Sequence, residues 1–447
     1  MNSLHSFIDG KSSDRAKILL TNESEKFTFE QSDFMDVVAS VQSANKAQKK
    51  WQELSTQERV LLLQKWIVLI EKELELLVQF DHEDSGISLE SSKILCANAI
   101  QQFKSFLNYS PKIQADATHF QVLSPVGIVG LITDWQQSFL ILLENLAASL
   151  CCGNLVIIYP SEFAMRSALK ITELSVEAGI PAGVLGVLLG RGEELAIHLC
   201  EHPGIKHLRF YGDNALGEKL HKIAVENQKR IVSYMGVNNA AIVFSDAEAR
   251  ASVQTILELS FNFHLHGRNR VNRVLIQEKF LNEFKTEFDL QIEKLDSEKI
   301  GPLPDPSLKE KFAAYLEQSK KDRAKIHTSK SGSVPLTVYD DLTNCSTLHQ
   351  QNLSGPILFL QSFKYAADLP KVLNSGSFAY RAYVWTNDLA RIHKLSQQLE
   401  VSQILFNPKE FAEPNLSSEN LKQSGYGHNG MQSLFEFNLN RRVISLS

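Results

Sequence analysis

The chain has 447 residues, a formal net charge of −5, 43% hydrophobic residues and 22% charged residues. This length exceeds what one hydrophobic core supports and predicts two or three domains. The composition is ordinary for a globular protein, and its slight acidity argues against a general affinity for nucleic acid or for an anionic membrane.

The cysteine pattern and the N-terminus indicate a cytoplasmic protein. The sequence MNSLHSFIDGKSSDR lacks the charged-then-apolar pattern of a secretion signal, and no apolar run reaches the length of about 18 residues that suggests a membrane span. An odd number of cysteines without a CxxC pair is typical of a reducing compartment. The five thiols are Cys96, Cys151, Cys152, Cys200 and Cys345.

The N-terminal quarter of the chain predicts helices after an irregular start. The first 30 residues are polar, and we expect no regular structure there. Helical spacing of apolar residues runs from 31 to 78, with Phe34 among the positions expected to face the core and with a helix start at Ser55. Another helix is expected over 91–108.

From Pro125 onward, short apolar strands and amphipathic helices alternate with connections of a few residues. This pattern predicts βαβ units and a parallel sheet covered on both faces, whose ligands bind at the carboxyl ends of the strands. The predicted strands are 127–132, 155–158, 184–188, 207–211 and 231–233. The predicted helices are 139–150, 161–177 with Ser161 as its cap, 192–200, and 213–227 with Asp213 as its cap.

A second α/β unit follows the first. Helices are predicted over 249–261, 280–295, 366–374 and 388–400, and strands over 274–276, 356–360, 382–385 and 403–406. Residues 301–350 are polar and give no clear pattern. Residues 408–430 predict a loop, and alternation over 434–444 predicts a terminal strand.

Several motifs follow one another in a fixed order: SPVGIVGLITDW, LAASLCCGNLVIIYPSE, EAGIPAGVLGVLLG, FYGDNALG, SGPILF, FAYRAYVWTNDLARIHKLSQQL and KQSGYGHNG. With these motifs the chain resembles the NAD(P)-dependent aldehyde dehydrogenase superfamily from about residue 35 to the end. The resemblance implies an α/β fold with a Rossmann-like cofactor domain (1–106 and 125–233) and a catalytic-type α/β domain (234–433). It also implies an oligomerisation β-ribbon built from 107–124 and 434–447.

The resemblance also implies where the chemistry should reside. The family uses a cysteine nucleophile, a glutamate base and an asparagine that helps to hold the oxyanion. The matching positions carry Arg268 (five residues before Arg273), Tyr234 and Gln136. A guanidinium stays protonated and cannot attack a carbonyl carbon. The resemblance therefore implies a member without the usual nucleophile and base.

Some positions that match the family's cofactor site are altered as well. The altered positions are Tyr159, Asp213 and Asn352, whereas Trp135, Glu162 and Gly212 keep the family's residues. A carboxylate at Asp213 serves as a helix cap and opposes a bound diphosphate. We therefore expect no cofactor, with NAD(P) binding as the alternative. A metal at His264 and His266 is not expected, because no third ligand can be assigned.

Three hypotheses follow from these positions. The leading one is an inactive family member that acts as a scaffold or regulatory subunit, as a homo-oligomer (dimer or tetramer) or in a hetero-oligomer with an active aldehyde dehydrogenase. The second is a carboxylate-binding protein that uses Arg268, against the simpler alternative that Arg268 and Tyr234 only fill the former substrate tunnel. The third is an NAD(P)-dependent oxidoreductase that acts on aldehydes with a non-standard site.

Overall fold

The computed structural model contains two large sheets with helices on their faces, and it belongs to the mixed α/β class that the sequence predicts. It describes residues 2–13, 19–21, 27–109, 111, 118–262, 267–295, 306–321, 325–328, 337–340, 352, 355–409 and 417–445.

The start of the chain is not irregular, so that prediction is wrong. It holds the strands β1 (Asn2–Leu4), β2 (Phe7–Ile8), β3 (Lys11–Ser12), β4 (Leu19–Thr21) and β5 (Phe27–Glu30). Strands β1, β5 and β4 form a small sheet, and β2 and β3 extend the edge of the first large sheet. Strands of two to four residues are too short to show an alternating pattern in the sequence.

Four helices follow: α1 (Phe34–Glu53), α2 (Thr56–Lys72), α3 (Leu74–Ser85) and α4 (Leu89–Leu107). Helices were predicted in this region, but the break at Glu73 that separates α2 from α3 was not. The Ser55 hydroxyl accepts a hydrogen bond from the Glu58 N–H at 3.2 Å, and the Glu58 carboxylate accepts one from the Ser55 N–H at 2.7 Å. This capping box fixes the start of α2. Phe34 does not face the core as expected, because it lies at the first position of α1 and is 44% exposed.

The next part of the chain begins with a strand that pairs outside the large sheets and then builds the first large sheet. Its elements are β6 (His119–Pro125), β7 (Ile128–Thr133), α5 (Ser138–Cys151), β8 (Leu155–Pro160), α6 (Met165–Glu177), β9 (Leu185–Val187), α7 (Glu194–Glu201), β10 (Ile205–Tyr211), α8 (Asn214–Glu226) and β11 (Arg230–Tyr234). Strands β11, β10, β7, β8 and β9 are parallel neighbours in that order, which confirms the predicted parallel core of this sheet.

The two predicted caps in this sheet have different outcomes. The Asp213 carboxylate accepts a hydrogen bond from the Leu216 N–H at 3.0 Å, so Asp213 is the N-cap of α8, as predicted. Ser161 is not a cap, because α6 begins only at Met165 and its N-cap is Ala164. The Ser161 hydroxyl instead accepts a hydrogen bond from the Phe163 N–H in the preceding turn, at 3.4 Å.

The second large sheet is formed by later elements: β12 (Asn239–Val243), α9 (Ala249–Leu257) with a π-helical turn (Glu258–Asn262), β13 (Val271–Gln277), α10 (Leu281–Ile292), α11 (Pro306–Lys321), β14 (Lys325–Thr328), β15 (Thr337–Asp340), β16 (Ile357–Phe363), α12 (Leu369–Asn374), β17 (Arg381–Trp385), α13 (Leu389–Gln398) and β18 (Gln403–Phe406). The strand order is β14-β15-β16-β13-β12-β17-β18, and all neighbours except β14 and β15 are parallel.

The C-terminal segment returns to the first sheet. It contains β19 (Ser418–Glu419), β20 (Gly425–Tyr426), β21 (His428–Asn429), α14 (Met431–Phe437) and β22 (Leu439–Ser445). Strand β20 pairs with the edge strand β11, and β22 pairs antiparallel with β6 from Leu439–Pro125 to Ser445–His119. The prediction of one strand over 434–444 is wrong in its first part, because the last turn of α14 buries Leu434 and Phe435.

No helix within the described ranges is both long and apolar enough to cross a membrane.

Candidate functional site

A cavity of about 360 Å³ opens where β7, β10 and β11 end and where α5 begins. This main cavity brings together most of the residues that the sequence analysis selected. Its lining includes Trp135, Gln136, Gly212, Asp213, Tyr234, Arg268 and Asn352. The site predicted from positions scattered over more than 200 residues is therefore one place in the fold.

Arg268 lies in the loop before β13 and is held by backbone and side-chain acceptors. Its Nε donates a hydrogen bond to the Met235 carbonyl at 3.2 Å, and its Nη2 donates to the Ser424 carbonyl at 2.8 Å and to Asn420 Oδ1 at 3.3 Å. The guanidinium also lies 4.2 Å from the ring centroid of Tyr380. Arg268 therefore joins the end of the first sheet to the C-terminal loop and to the entry of β17.

Tyr234 is the last residue of β11, and only 3% of it is exposed. Its hydroxyl donates a hydrogen bond to the His428 carbonyl at 3.1 Å, and its ring stacks on Tyr211 with centroids 4.3 Å apart. The Arg268 guanidinium lies 5.3 Å from the Tyr234 ring centroid. Burial raises the pKa of Tyr234, so the phenol stays protonated at neutral pH and is a poor general base.

A buried polar network supports this pair of rings. The Asn145 amide donates a hydrogen bond to the Tyr211 hydroxyl at 3.0 Å, and Asn145 Oδ1 accepts one from Arg209 at 2.9 Å. Arg209 also donates to the Leu434 carbonyl at 3.1 Å and has no exposed surface. The wall of the cavity is thus locked by hydrogen bonds that reach from α5 to α14.

Gln136 lines the main cavity, and so does its neighbour Gln137, whose side chain lies against Gly267. Gln137 has a positive φ of 51° at the start of α5. A Cβ added to Gly267 would come within 2.7 Å of the Gln137 amide nitrogen, so a larger residue at position 267 would have to displace the end of the Gln137 side chain. No feature of the sequence marks this approach, because residues 137 and 267 are far apart in the chain.

Charged residues that no motif marks also line the main cavity. Arg270 lines it, is 2% exposed and donates a hydrogen bond to the Ile357 carbonyl. Burial lowers the pKa of Arg270 to about 9. Glu144 on α5 and Lys311 on α11 line the same cavity. The helical spacing from Gln137 to Glu144 could have indicated that Gln137 and Glu144 lie on one face of α5.

None of the four cysteines in the described part of the chain lines the main cavity. All four are buried, and burial raises the pKa of Cys151 to about 12 and that of Cys200 to about 11. Such thiols are poor nucleophiles. Cys345, His264 and His266 lie outside the described residues, and the described residues contain no group of three metal-binding side chains.

The positions expected to hold a cofactor form a second, small cavity of about 160 Å³ next to the main one. Tyr159, Glu162, Gly212 and Asp213 line it. The Tyr159 hydroxyl donates a hydrogen bond to the Gly192 carbonyl at 2.6 Å, and Arg191 forms an ion pair with Glu162. Asn352 lies at the main cavity, where its Oδ1 accepts a hydrogen bond from the Val237 N–H at 3.3 Å.

Comparison with known proteins agrees with the fold and the order of these motifs. The profile of the Aldehyde dehydrogenase family matches residues 7–444. The 2-aminomuconic semialdehyde dehydrogenase of Mus musculus is 26% identical over 443 residues, which cover 92% of this chain and 90% of that protein.

Solved structures share the fold. The NAD-dependent aldehyde dehydrogenase of Sinorhizobium meliloti superposes with a TM-score of 0.91 at 23% identity, covering 100% of this chain and 95% of that one. A 3,6-anhydro-L-galactose dehydrogenase in complex with NAP superposes with a TM-score of 0.93 at 18% identity, covering 100% of both chains. Because the family profile matches residues 7–444, the chain belongs to the aldehyde dehydrogenase family.

Proposed function

We propose that this family member does not oxidise aldehydes and acts as a scaffold or regulatory subunit. The observation that carries the proposal is the environment of Arg268, at the position that the family resemblance assigns to the nucleophile. Three hydrogen bonds to Met235, Asn420 and Ser424 and the contact with Tyr380 engage this side chain in the fold. A residue engaged in this way supports a structural role, and a guanidinium has no lone pair suited to attack.

The environment of Tyr234 supports the same proposal. The position that the resemblance assigns to the general base holds a buried phenol whose pKa is raised, stacked between Tyr211 and the Arg268 guanidinium. Activation of water for release of an acyl group needs an acceptor with a pKa near the working pH. Loss of both groups together is expected to raise the barrier by more than about 5 kcal/mol.

A role in assembly is supported by the ribbon of β6 and β22. These strands pair only with each other among the described strands, and isolated two-stranded ribbons are marginally stable in water. Apolar side chains on the ribbon are exposed: Phe120 by 37%, Val443 by 65% and Ile444 by 37%. A second subunit that covers this ribbon, from the same chain or from an active relative, would remove these side chains from water.

The proposal is tested by co-expression with an active family member and by turnover measurements. We expect this chain alone to give no NAD(P)-dependent turnover with an aldehyde panel, and to form an oligomer in light scattering. Turnover that Cys151→Ala or Cys152→Ala abolishes would favour an oxidoreductase with a non-standard site. A monomer that does not associate with an active relative would contradict the scaffold role.

The second candidate function is carboxylate binding in the main cavity. It is favoured by the volume of about 360 Å³ and by Arg268 and Arg270 in its lining, since guanidinium groups pair well with carboxylates. Calorimetric titration with short carboxylic acids tests it. Heat in the wild type that Arg268→Ala removes would support binding, whereas equal heats or none would exclude it.

A further inference from the structure

The C-terminal arm, residues 431–445, consists of α14 and β22 and is fastened to the first sheet by two positively charged side chains among its contacts. Arg209 of β10 donates a hydrogen bond to the Leu434 carbonyl at 3.1 Å. Arg230 of β11 donates one to the Leu439 carbonyl at 3.2 Å. Hydrogen bonds from charged donors are stronger than neutral ones, so the docking of the arm depends on these cations.

A buried histidine lies beneath the arm. His207 precedes Arg209 by two residues on β10, so both side chains point to the face of the sheet that α14 covers. His207 has no exposed surface, and its ring centroid lies 6.3 Å from that of Phe437 at the end of α14. Neither ring nitrogen has a hydrogen-bond partner of ordinary geometry among the described residues, and only a weak contact with the Phe437 backbone favours the charged ring. Buried polar groups are normally paired, so packing alone does not explain a histidine here.

The charges that act on His207 are positive. Arg209 lies on the same strand, and Arg230 is the direct neighbour of His207 across β11. Burial, together with these two cations, lowers the pKa of His207 well below its ordinary value. The docked arm therefore requires the neutral ring.

The other elements at this ring supply no carboxylate that forms an ion pair with it, within the ranges that the structure describes. On β7, the neighbour of His207 is Val129. On α14, Glu436 forms an ion pair with Arg441 at 2.9 Å. His428 of β21 packs on the last ring of α14 from the opposite side, with centroids 5.8 Å apart. A proton on His207 would thus be a buried, unpaired charge, which is strongly unfavourable.

We propose that protonation of His207 releases the C-terminal arm from the first sheet, so that mild acid weakens the docking of β22. In the released state water reaches the ring, which regains the ordinary pKa of about 6.5. The released state therefore binds a proton that the docked state excludes. Docking is complete above about pH 6.5 and weakens up to about tenfold for each pH unit below it.

The release concerns a single subunit and needs no partner. Strand β22 is one half of the ribbon with β6, so release of the arm also removes the surface that the proposed assembly uses. Loss of assembly in acid is therefore a further consequence, and that part alone rests on the proposed scaffold role.

Hydrogen exchange of the full chain at pH 7.5 and pH 5.5 tests the proposal. After correction for the intrinsic effect of pH on exchange, the protection of amides in residues 431–445 should fall about tenfold at the lower pH. Amides of β8, a strand of the same sheet that does not pair with the arm, are the internal reference and should keep their protection.

Three variants identify the group that titrates. His207→Leu replaces the ring by an apolar side chain of similar size, and His207→Gln replaces it by a neutral polar one, so each should make the protection of the arm equal at both pH values. His428→Gln is the matched control, because it alters the other histidine at Phe437 and should keep the tenfold change.

The proposal is overturned if the arm of the wild type keeps its protection at pH 5.5, if both His207 variants retain the wild-type change, or if His428→Gln abolishes it. Light scattering of the same samples reports assembly separately. A protein that is monomeric at both pH values and still releases its arm in acid would support the role of His207 and contradict only the scaffold role.

Discussion

The guanidinium of Arg268 stacks on Tyr380, with its central carbon 4.2 Å from the ring centroid. Tyr380 immediately precedes β17 of the second sheet, whereas Met235 and Ser424, which accept hydrogen bonds from the same guanidinium, lie at the edge of the first sheet and in the C-terminal loop. One cation thus connects three parts of the fold. The proposed structural role of Arg268 rests on this connection.

Removal of this side chain should destabilise the protein. In Arg268→Ala, the Met235 and Ser424 carbonyls lose a charged donor and Tyr380 loses its cation, so we expect a loss of about 2–3 kcal/mol in the free energy of unfolding. Arg268→Lys should retain part of the free energy of unfolding that Arg268→Ala loses. Urea unfolding measures the change, with the exposed Arg250→Ala as control. A loss for Arg268→Ala no larger than that of the control would refute the structural role.

The Tyr234 hydroxyl should contribute to stability, and a carboxylate in place of the Tyr234 side chain should destabilise the protein. Tyr234→Phe keeps the stack on Tyr211 and loses one hydrogen bond to the His428 carbonyl, which should cost about 1 kcal/mol. Tyr234→Glu places an ionisable group at a position that is 3% exposed and should cost about 3 kcal/mol or more. Thermal unfolding of both variants tests this order, and equal stability of the two would contradict it.

A buried carboxyl on α3 should make stability depend on pH. Burial raises the pKa of Asp81 to about 6, and its Oδ2 has no hydrogen-bond partner within the described residues. The folded state therefore holds this proton more tightly than the unfolded state. The stabilising effect of this proton is complete below the ordinary pKa of an aspartate, about 4, and is lost as pH rises through about 6.

The variant Asp81→Asn tests that dependence because its side chain does not ionise. The difference in unfolding free energy between wild type and variant should change by roughly 2–3 kcal/mol between pH 4 and pH 8, in favour of the variant at the higher pH. Urea unfolding at both pH values measures it, with the exposed Asp289→Asn as control. A difference that stays constant with pH would show that Asp81 ionises as readily in the folded state as in the unfolded one.

Charge on the ribbon should break the proposed assembly. Val443 is 65% exposed on β22, so Val443→Glu should leave the fold of one subunit intact and weaken association by about 2 kcal/mol, roughly thirtyfold in Kd. Light scattering over a dilution series measures the shift. Leu290→Glu, at an exposed position on α10 away from the ribbon, is the matched control. Equal behaviour of the two variants would exclude the ribbon as the interface.

Much of the fold could be predicted because buried parallel strands read as continuous apolar runs between helices. The interior strand β12 was not predicted, since it is short, opens with Asn239 and contains the small residues Ala240 and Ala241. The alternation that begins at Leu434 predicted a strand. Its first residues lie in helix α14 instead, because Leu434 and Phe435 both pack inward. The sequence pattern of a short segment does not show whether the tertiary contacts select the helical period or the strand period.

The candidate site was predictable in its positions and unpredictable in its contacts. The resemblance selected Arg268 and Tyr234, and both line one cavity. The acceptors that hold Arg268 come from residues 420 and 424, more than 150 positions away, and no periodicity reports a contact of that kind. The approach of Gln137 to Gly267 was hidden for the same reason.

The most direct test of the central claim is a single-turnover measurement of nicotinamide reduction, with enzyme in excess over NAD or NADP and an aldehyde panel that includes semialdehydes. This experiment detects hydride transfer to the nicotinamide even where release of the acyl group is slow. The structural role of Arg268 predicts no reduced nicotinamide above the uncatalysed rate. A stoichiometric burst that disappears in Arg268→Ala or in a cysteine variant would contradict it.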